Sequence, residues 1–375
     1  MIEMAKEVLV CSDCVAESHK MLTERPDSAP GLEFNSKTPK EIVAFLNDYV
    51  VGQDAAKMTL AIAVYNHYKR LRHKGDVEIS KSNILMLGPT GTGKTLLAQS
   101  IARLLNVPFA IADATSLTQA GYVGDDVETI IGRLVQAADG DIEKAQQGIV
   151  FLDEIDKIAA AKAGPSITRD VSGEGVQQAL LKLIEGSVVN VPQAGGRKHP
   201  GAQMHQVDTT NILFICAGAF VPLLEKLNKK ETERNIGFVT AAPAVKEAPK
   251  EVTPEHLFEA GMIPELVGRL PVITVLEALD VATLERILVE PKNAVTRQMK
   301  SLFAMDDAEL IFEEGAIRAI AQSVLERKIG ARGVRGILEE LLKQAQFEVP
   351  GSHGATVTVT GDLDVRVSYA QALAA

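Results

Sequence analysis

Gly88-Pro89-Thr90-Gly91-Thr92-Gly93-Lys94-Thr95 is a glycine-rich turn that ends on an amine and a hydroxyl. Its glycines let a loop wrap a phosphate without Cβ clashes, and its amides can then point inward at the oxygens. Lys94 is expected to reach the β- and γ-phosphates, and the Thr95 hydroxyl to ligate Mg²⁺. Leu96 opens the helix that follows, and an apolar strand over 83–87 precedes the turn. A strand before and a helix after is the context that a Walker A loop requires.

About sixty residues further on, Ile149-Val150-Phe151-Leu152-Asp153-Glu154-Ile155-Asp156 carries an apolar run into acids. A strand there delivers Asp153 and Glu154 to its carboxyl end, where ligands bind in parallel sheets. Asp153 is expected in the Mg²⁺ shell, and Glu154 is the better base for polarising an attacking water. An acidic pair alone reads as a solvated turn; behind a Walker A loop it reads as a Walker B strand. ATP and Mg²⁺ are the cofactors this pairing implies, and ATP hydrolysis is the reaction.

Such residues need a frame. Thr38-Pro39-Lys40-Glu41 predicts a helix start, with Thr38 as N-cap, Pro39 in the first turn and Glu41 completing a capping box. Helical periodicity continues over 54–73 and 96–105, and short apolar strands are expected over 83–87, 109–112, 149–152 and 211–216. Strands alternating with helices predict an α/β fold with a mostly parallel sheet. The stretch 239–253, rich in Ala, Pro, Lys and Glu, reads as mobile. Helices return over 280–291, 294–303, 313–328 and 333–347, and an alternating strand follows over 355–360. The organisation expected is an amino-terminal arm over 1–36, a large ATPase domain over 37–275, a small, mainly helical α+β lid domain over 276–363 and a tail over 364–375.

Beyond these, the chain resembles the Clp-type AAA+ protein unfoldases from about Lys37 to about Gly361. Tyr49-Val50-Val51-Gly52-Gln53 resembles the segment that cradles adenine, which implicates Val50 and Val51. Gly268-Arg269-Leu270-Pro271 looks like the arginine-finger segment, and Gly330-Ala331-Arg332-Gly333-Val334-Arg335 like sensor 2. The resemblance implies that Arg269 serves a neighbouring subunit and that Arg332 reaches the phosphates from the small domain. A permanently charged, bidentate guanidinium suits both places. Sensor 1 is implied near 209–218, with no single residue assigned.

Four further segments narrow the resemblance. Gly121-Tyr122-Val123-Gly124 matches the pore loop, and Thr168-Arg169 through Gln177-Gln178 matches a second pore segment. Gly196-Arg197-Lys198-His199-Pro200 matches a basic loop at the pore entrance. Asn235-Ile236-Gly237-Phe238 resembles the loop that docks into a ClpP-type peptidase, although Val239 stands where a glycine commonly follows. Tyr122 between glycines could grip arbitrary side chains through area, and Phe238 could fill a partner's pocket. The resemblance implies a homohexamer that unfolds protein substrates with ATP and passes them to a ClpP-type peptidase. An HslU-type unfoldase shares the Gly-Tyr-Val-Gly loop, and a peptidase-independent chaperone stays open as a further reading.

Composition bounds the rest. The formal charge is -10 and aromatics make up 4% with no Trp, so the core must be mostly aliphatic. The acidic balance, with no long Lys/Arg run, counts against a nucleic-acid motor. No apolar run long enough to span a membrane and no signal-peptide pattern are visible, which predicts a cytoplasmic protein. The arm holds Cys11 and Cys14, resembling one of the two cysteine pairs of the family's zinc-binding domain. A closed structural site takes four ligands, so no zinc is expected in a single arm, and pooling across arms would make it sub-stoichiometric. With little core, the arm is expected to lack regular structure or to be loosely helical.

Overall fold

A computed structural model describes residues 2–5, 8–10, 37–118, 125–159, 173–192, 204–234, 252–352 and 354–369. The chain forms two compact units, 1–36 and 37–375. In the first, β1 (Ile2–Ala5) and β2 (Val8–Val10) pair antiparallel, with Ile2 opposite Val10. At these seven residues the arm is extended rather than irregular or loosely helical; the rest of 1–36 lies outside the described residues. Ile2, Val8 and Val10 are β-branched and favour extended backbone. Cys11 and Cys14 lie outside the described residues.

The second unit opens with α1 (Pro39–Asn47), and its capping box forms as expected between Thr38 and Glu41. A second helix, α2 (Asp54–Leu71), follows. The central sheet takes β3 (Ile84–Leu87), β4 (Phe109–Asp113), β5 (Ile149–Asp153), β8 (Leu213–Gly218) and β9 (Val272–Val275). Between β5 and β8 the antiparallel hairpin β6 (Val188–Pro192) and β7 (Met204–Asp208) stands apart. The sheet order is β9-β3-β8-β5-β4, with every pair parallel. Parallel strands need crossovers that put helices over the faces, so interior strands read as unbroken apolar runs. Ile84–Leu87 and Leu213–Gly218 are buried at every position.

The crossovers position the chemistry. Helix α3 (Lys94–Leu105) leaves the glycine turn after β3, and α4 (Thr129–Ala137) follows β4. Helix α5 (Glu174–Glu185) precedes the hairpin, and α6 (Val221–Arg234), α7 (Pro254–Glu259) and α8 (Pro264–Gly268) lead from β8 to β9. Leu85, Leu87, Val150, Leu152, Phe214 and Cys216 join residues of α4 and α5 in one core. Burial pushes the Cys216 thiol up to about 12, as suits a core residue.

After β9 come α9 (Val281–Val289), α10 (Val295–Met305), β10 (Glu309–Phe312), α11 (Ala316–Glu326), α12 (Gly333–Glu348), β11 (Ala355–Val359) and β12 (Val365–Tyr369). Their sheet runs β10-β11-β12. Val359 pairs with Val365 and Ala355 with Tyr369, so much of the expected tail over 364–375 is an antiparallel strand. Val365 and Val367 pack on the small lobe's core, which is why the segment stays with the sheet. No helix among the described residues is long and apolar enough to cross a membrane.

Candidate nucleotide site

The glycine turn runs from the carboxyl end of β3 into α3, which begins at Lys94 itself. Lys94 is only 8% exposed. Its Nζ donates to the carbonyls of Gly88 at 2.6 Å and Pro89 at 2.9 Å, and the Thr92 hydroxyl donates to Pro89 at 2.8 Å. The loop therefore holds its shape through its own side chains. Burial lowers the Lys94 pKa, and the Asp153 carboxylate opposes that shift. Leu96 is half-buried on the first turn of α3.

Strand β5 brings Asp153 alongside. The Thr95 hydroxyl lies 3.3 Å from Asp153 Oδ2 and donates to it. A hydroxyl and a carboxylate beside a phosphate loop fit Mg²⁺, which takes few protein oxygens and keeps water and phosphate for the rest. Glu154 follows in left-handed backbone at φ 56 with an exposed side chain, and its N–H donates to Asp153 Oδ1 at 2.9 Å. Non-glycine residues in that conformation persist where the surroundings over-determine them, often at functional sites. Asp156 turns toward β8, accepting from the N–H groups of Ala219 at 3.0 Å and Phe220 at 3.4 Å.

Strand β8 lies between β3 and β5, where the sensor-1 segment was expected. Its carboxyl end reads Ala217-Gly218-Ala219 and offers no polar side chain, while the Gly218 carbonyl accepts from Gly88 N–H at 3.2 Å. Thr209 sits at the other end of the strand, fully buried and bonded to Leu183 and Ser187.

Val50 and Val51 are 5% and 6% exposed, and a Cβ built on Gly93 would come within 3.9 Å of Val50. The expected base segment thus adjoins the phosphate loop. Sequence reasoning missed the residue that fixes it. Lys57 is 1% exposed, and its Nζ donates to Val50 O at 2.6 Å and Asn47 Oδ1 at 2.7 Å. A lysine in an amphipathic helix reads as solvated; the cue available was its position within the apolar stripe of α2.

The small lobe closes the site. The Ala331 N–H donates to Gly91 O at 3.3 Å, and Arg332 Nη2 lies 3.9 Å from Asp153 Oδ2. Gly91 and Gly330 meet backbone to backbone: a Cβ on Gly91 would stand 2.9 Å from Gly330 Cα, and one on Gly330 2.7 Å from Thr90 O. Lys292 Nζ also meets Asp48 Oδ2 at 2.7 Å across the lobes.

Arg269 is not brought to this site. Its carbonyl accepts from Asn83 Nδ2 at 3.0 Å at the amino end of the sheet, and its Nε donates to Glu185 Oε1 at 2.9 Å. Val272 to Val275 run beside Ile84 to Leu87, and four residues of strand span roughly 13 Å. Arg269 lies before that span and Gly88 after it. Tyr122, Val123, Arg169, Arg197, Lys198, His199, Ile236, Gly237 and Phe238 lie outside the described residues. The second pore segment is described only from Gly173, and there it becomes α5. Gln177 in it is fully buried and bonds Ile158 O, Gly261 O and Ile263 N–H.

Comparison with known proteins gives this geometry a family. The AAA domain (Cdc48 subfamily) matches residues 79–273. Among similar proteins, the ATP-dependent Clp protease ATP-binding subunit ClpX of Porphyromonas gingivalis is 49% identical over 93% of this chain and 88% of its own length. The protein of the same name from Treponema denticola is 49% identical over 92% of this chain and 86% of its own. A phosphate loop, a paired-acid strand and a small lobe closing on both, in a chain this similar along nearly its whole length, place it with the ClpX family of AAA+ ATPases, to which the chain belongs.

Proposed function

We propose that this ATPase is a ring-forming protein unfoldase and translocase that feeds a ClpP-type peptidase. The observation that carries the motor part is that the nucleotide site is shared between two lobes: Gly91 with Ala331, Asp153 with Arg332. A change in phosphate count at the site must then alter the contacts that register one lobe on the other. The peptidase part rests on the relatives, each named as a Clp protease subunit.

In this reading the loop 88–95 cradles the phosphates, with Lys94 turning from its own loop carbonyls to the β- and γ-oxygens. Thr95 and Asp153 hold the Mg²⁺ that accompanies ATP. Glu154 orients and deprotonates the attacking water, and its exposed side chain and fixed backbone suit that role. Val50 and Val51 line the base. Arg332 acts from the small lobe. Arg269, at the far end of its own sheet, can serve only another copy's pocket, which supports a head-to-tail ring, here a homohexamer. Tyr122 and Val123, with Arg169 and the basic loop Arg197, Lys198 and His199, contact substrate. Ile236, Gly237 and Phe238 dock the peptidase.

The test combines the protein with ATP, a ClpP-type peptidase and a stably folded, tagged substrate. Loss of the substrate that needs ATP hydrolysis and both proteins supports the reading. Unfolding that proceeds equally in the absence of any peptidase response would mark a peptidase-independent chaperone. Absence of unfolding beside vigorous ATP hydrolysis would overturn the proposal.

A further inference from the structure

The side-chain amide of Gln53 is bonded at both ends to one backbone unit far along the chain. Its Nε2 donates to Glu277 O at 2.9 Å, and its Oε1 accepts from Glu277 N–H at 2.8 Å. This is the pairing that a neighbouring strand would give, supplied instead by a side chain. Gln53 is 7% exposed and holds left-handed backbone at φ 60. A glutamine pays for that conformation in backbone strain, so the contacts around it must hold it there.

Both partners stand at junctions. Gln53 directly follows Val50-Val51-Gly52, whose Val50 carbonyl is pinned by Lys57. Glu277 is where the chain leaves the sheet. Leu276 N–H still bonds Leu87 O at 2.7 Å, and Asp280 caps α9 by accepting from Thr283 N–H at 2.7 Å. With Glu277 clamped, only Ala278, Leu279 and Asp280 remain as the connection in which one lobe can turn on the other.

The geometry points to Gln53 as a positioning residue of the ATPase: it ties the base-lining segment to the first residue of the interlobe connection. The conformation of that segment then sets where the small lobe, and Arg332 with it, begins. The inference rests on the reading of Val50 and Val51 as lining the base. It differs from the phosphate-side contacts because Gln53 transmits position without reaching the phosphates.

The experiment uses the full chain. Gln53→Leu removes both bonds at similar volume, and Gln53→Glu keeps the acceptor for Glu277 N–H while losing the donor. Turnover of ATP is expected to fall by about ten- to a hundred-fold in Gln53→Leu, the scale of a misplaced catalytic group. Affinity for a fluorescent ADP is expected to stay within about three-fold, because no group that binds nucleotide is removed. Gln53→Glu should fall between the wild type and Gln53→Leu in kcat, again at constant ADP affinity. Unchanged kcat, or affinity falling in step with kcat, would overturn the inference. If Gln53→Leu does not fold, Gln53→Glu decides by the same two readings. Competition of ADP against CDP on the wild type tests the underlying reading separately. Equal affinities would mean that Val50 and Val51 line no base, whatever the Gln53 variants do.

Discussion

Glu154 directly follows β5 in a backbone conformation that most residues avoid, beside an aspartate already engaged by Thr95. Replacing it by glutamine keeps shape and volume and removes only the base. Glu154→Gln is therefore expected to bind ATP as the wild type does and to lose about 10²–10⁴-fold in kcat. Phosphate release against nucleotide binding measures both, and near-normal turnover would remove Glu154 from the proposed role.

A second residue-scale expectation concerns pH. His67 is 2% exposed, its Nε2 donates to Asn211 O at 3.1 Å, and no described group bonds Nδ1. Burial first, then the charges of Arg70 and Lys81, hold its pKa down to about 3. An unfolded histidine titrates near 6.5. Between those values the unfolded chain binds the extra proton, so stability falls as pH drops from about 6.5 toward 3. The ceiling of this contribution is on the order of 5 kcal/mol. Melting curves across that window should be visibly flatter for His67→Gln, which can keep a donor for Asn211. Parallel curves for the two proteins would contradict it. None of this was legible beforehand, because His67 acquires its environment from a residue 144 positions away. The Walker residues were legible because their spacing is local and the strand and helix that frame them are local too.

At the scale of elements, Gly91 and Gly330 cross backbone to backbone where the lobes meet. Gly330 has φ +61, and a methyl there would press on Thr90 O and on Gly91 Cα. Gly330→Ala is expected to lower ATP turnover by about ten-fold or more by displacing Arg332. Gly336→Ala is the control: it lies in α12 with nothing within 4 Å of the added methyl, and it should stabilise by about 0.5–1 kcal/mol with turnover intact. Equal turnover in both variants would show that the crossing transmits nothing. The helices of the small lobe and four of the five strands of the large sheet could be read from periodicity; β9 (Val272–Val275), directly after Pro271, was not among the expected strands. Strand β12 could not be read either, because half of its reason to exist is its pairing with β11. Gln177 was not legible for a related reason: its three backbone partners, Ile158 O, Gly261 O and Ile263 N–H, come from segments distant in sequence.

At the scale of the whole molecule, Arg269 and the phosphate loop occupy opposite ends of one sheet. Arg269→Ala should therefore hydrolyse ATP poorly while its own pocket stays intact. Mixed with Lys94→Ala, which keeps its arginine and loses its pocket, it should regain part of the activity at interfaces that join an intact pocket to an intact arginine. Absence of recovery in demonstrably mixed rings would rule out action between subunits. The family resemblance implied a role for Arg269 in a neighbouring subunit; the separation of Arg269 from its own phosphate loop follows only from the parallel register of β9 on β3.

The bare carboxyl end of β8 has a consequence for what one subunit can know. Ala217, Gly218 and Ala219 carry no polar side chain, and the Gly218 carbonyl is already occupied by Gly88. On the proposed reading, the arginines that report a third phosphate then come from the small lobe and from the adjacent copy. A subunit standing alone has one such reader and an assembled one has two. Nucleotide state is thereby a signal shared across a seam between chains, and a ring that loses one member silences a message as well as a motor stroke.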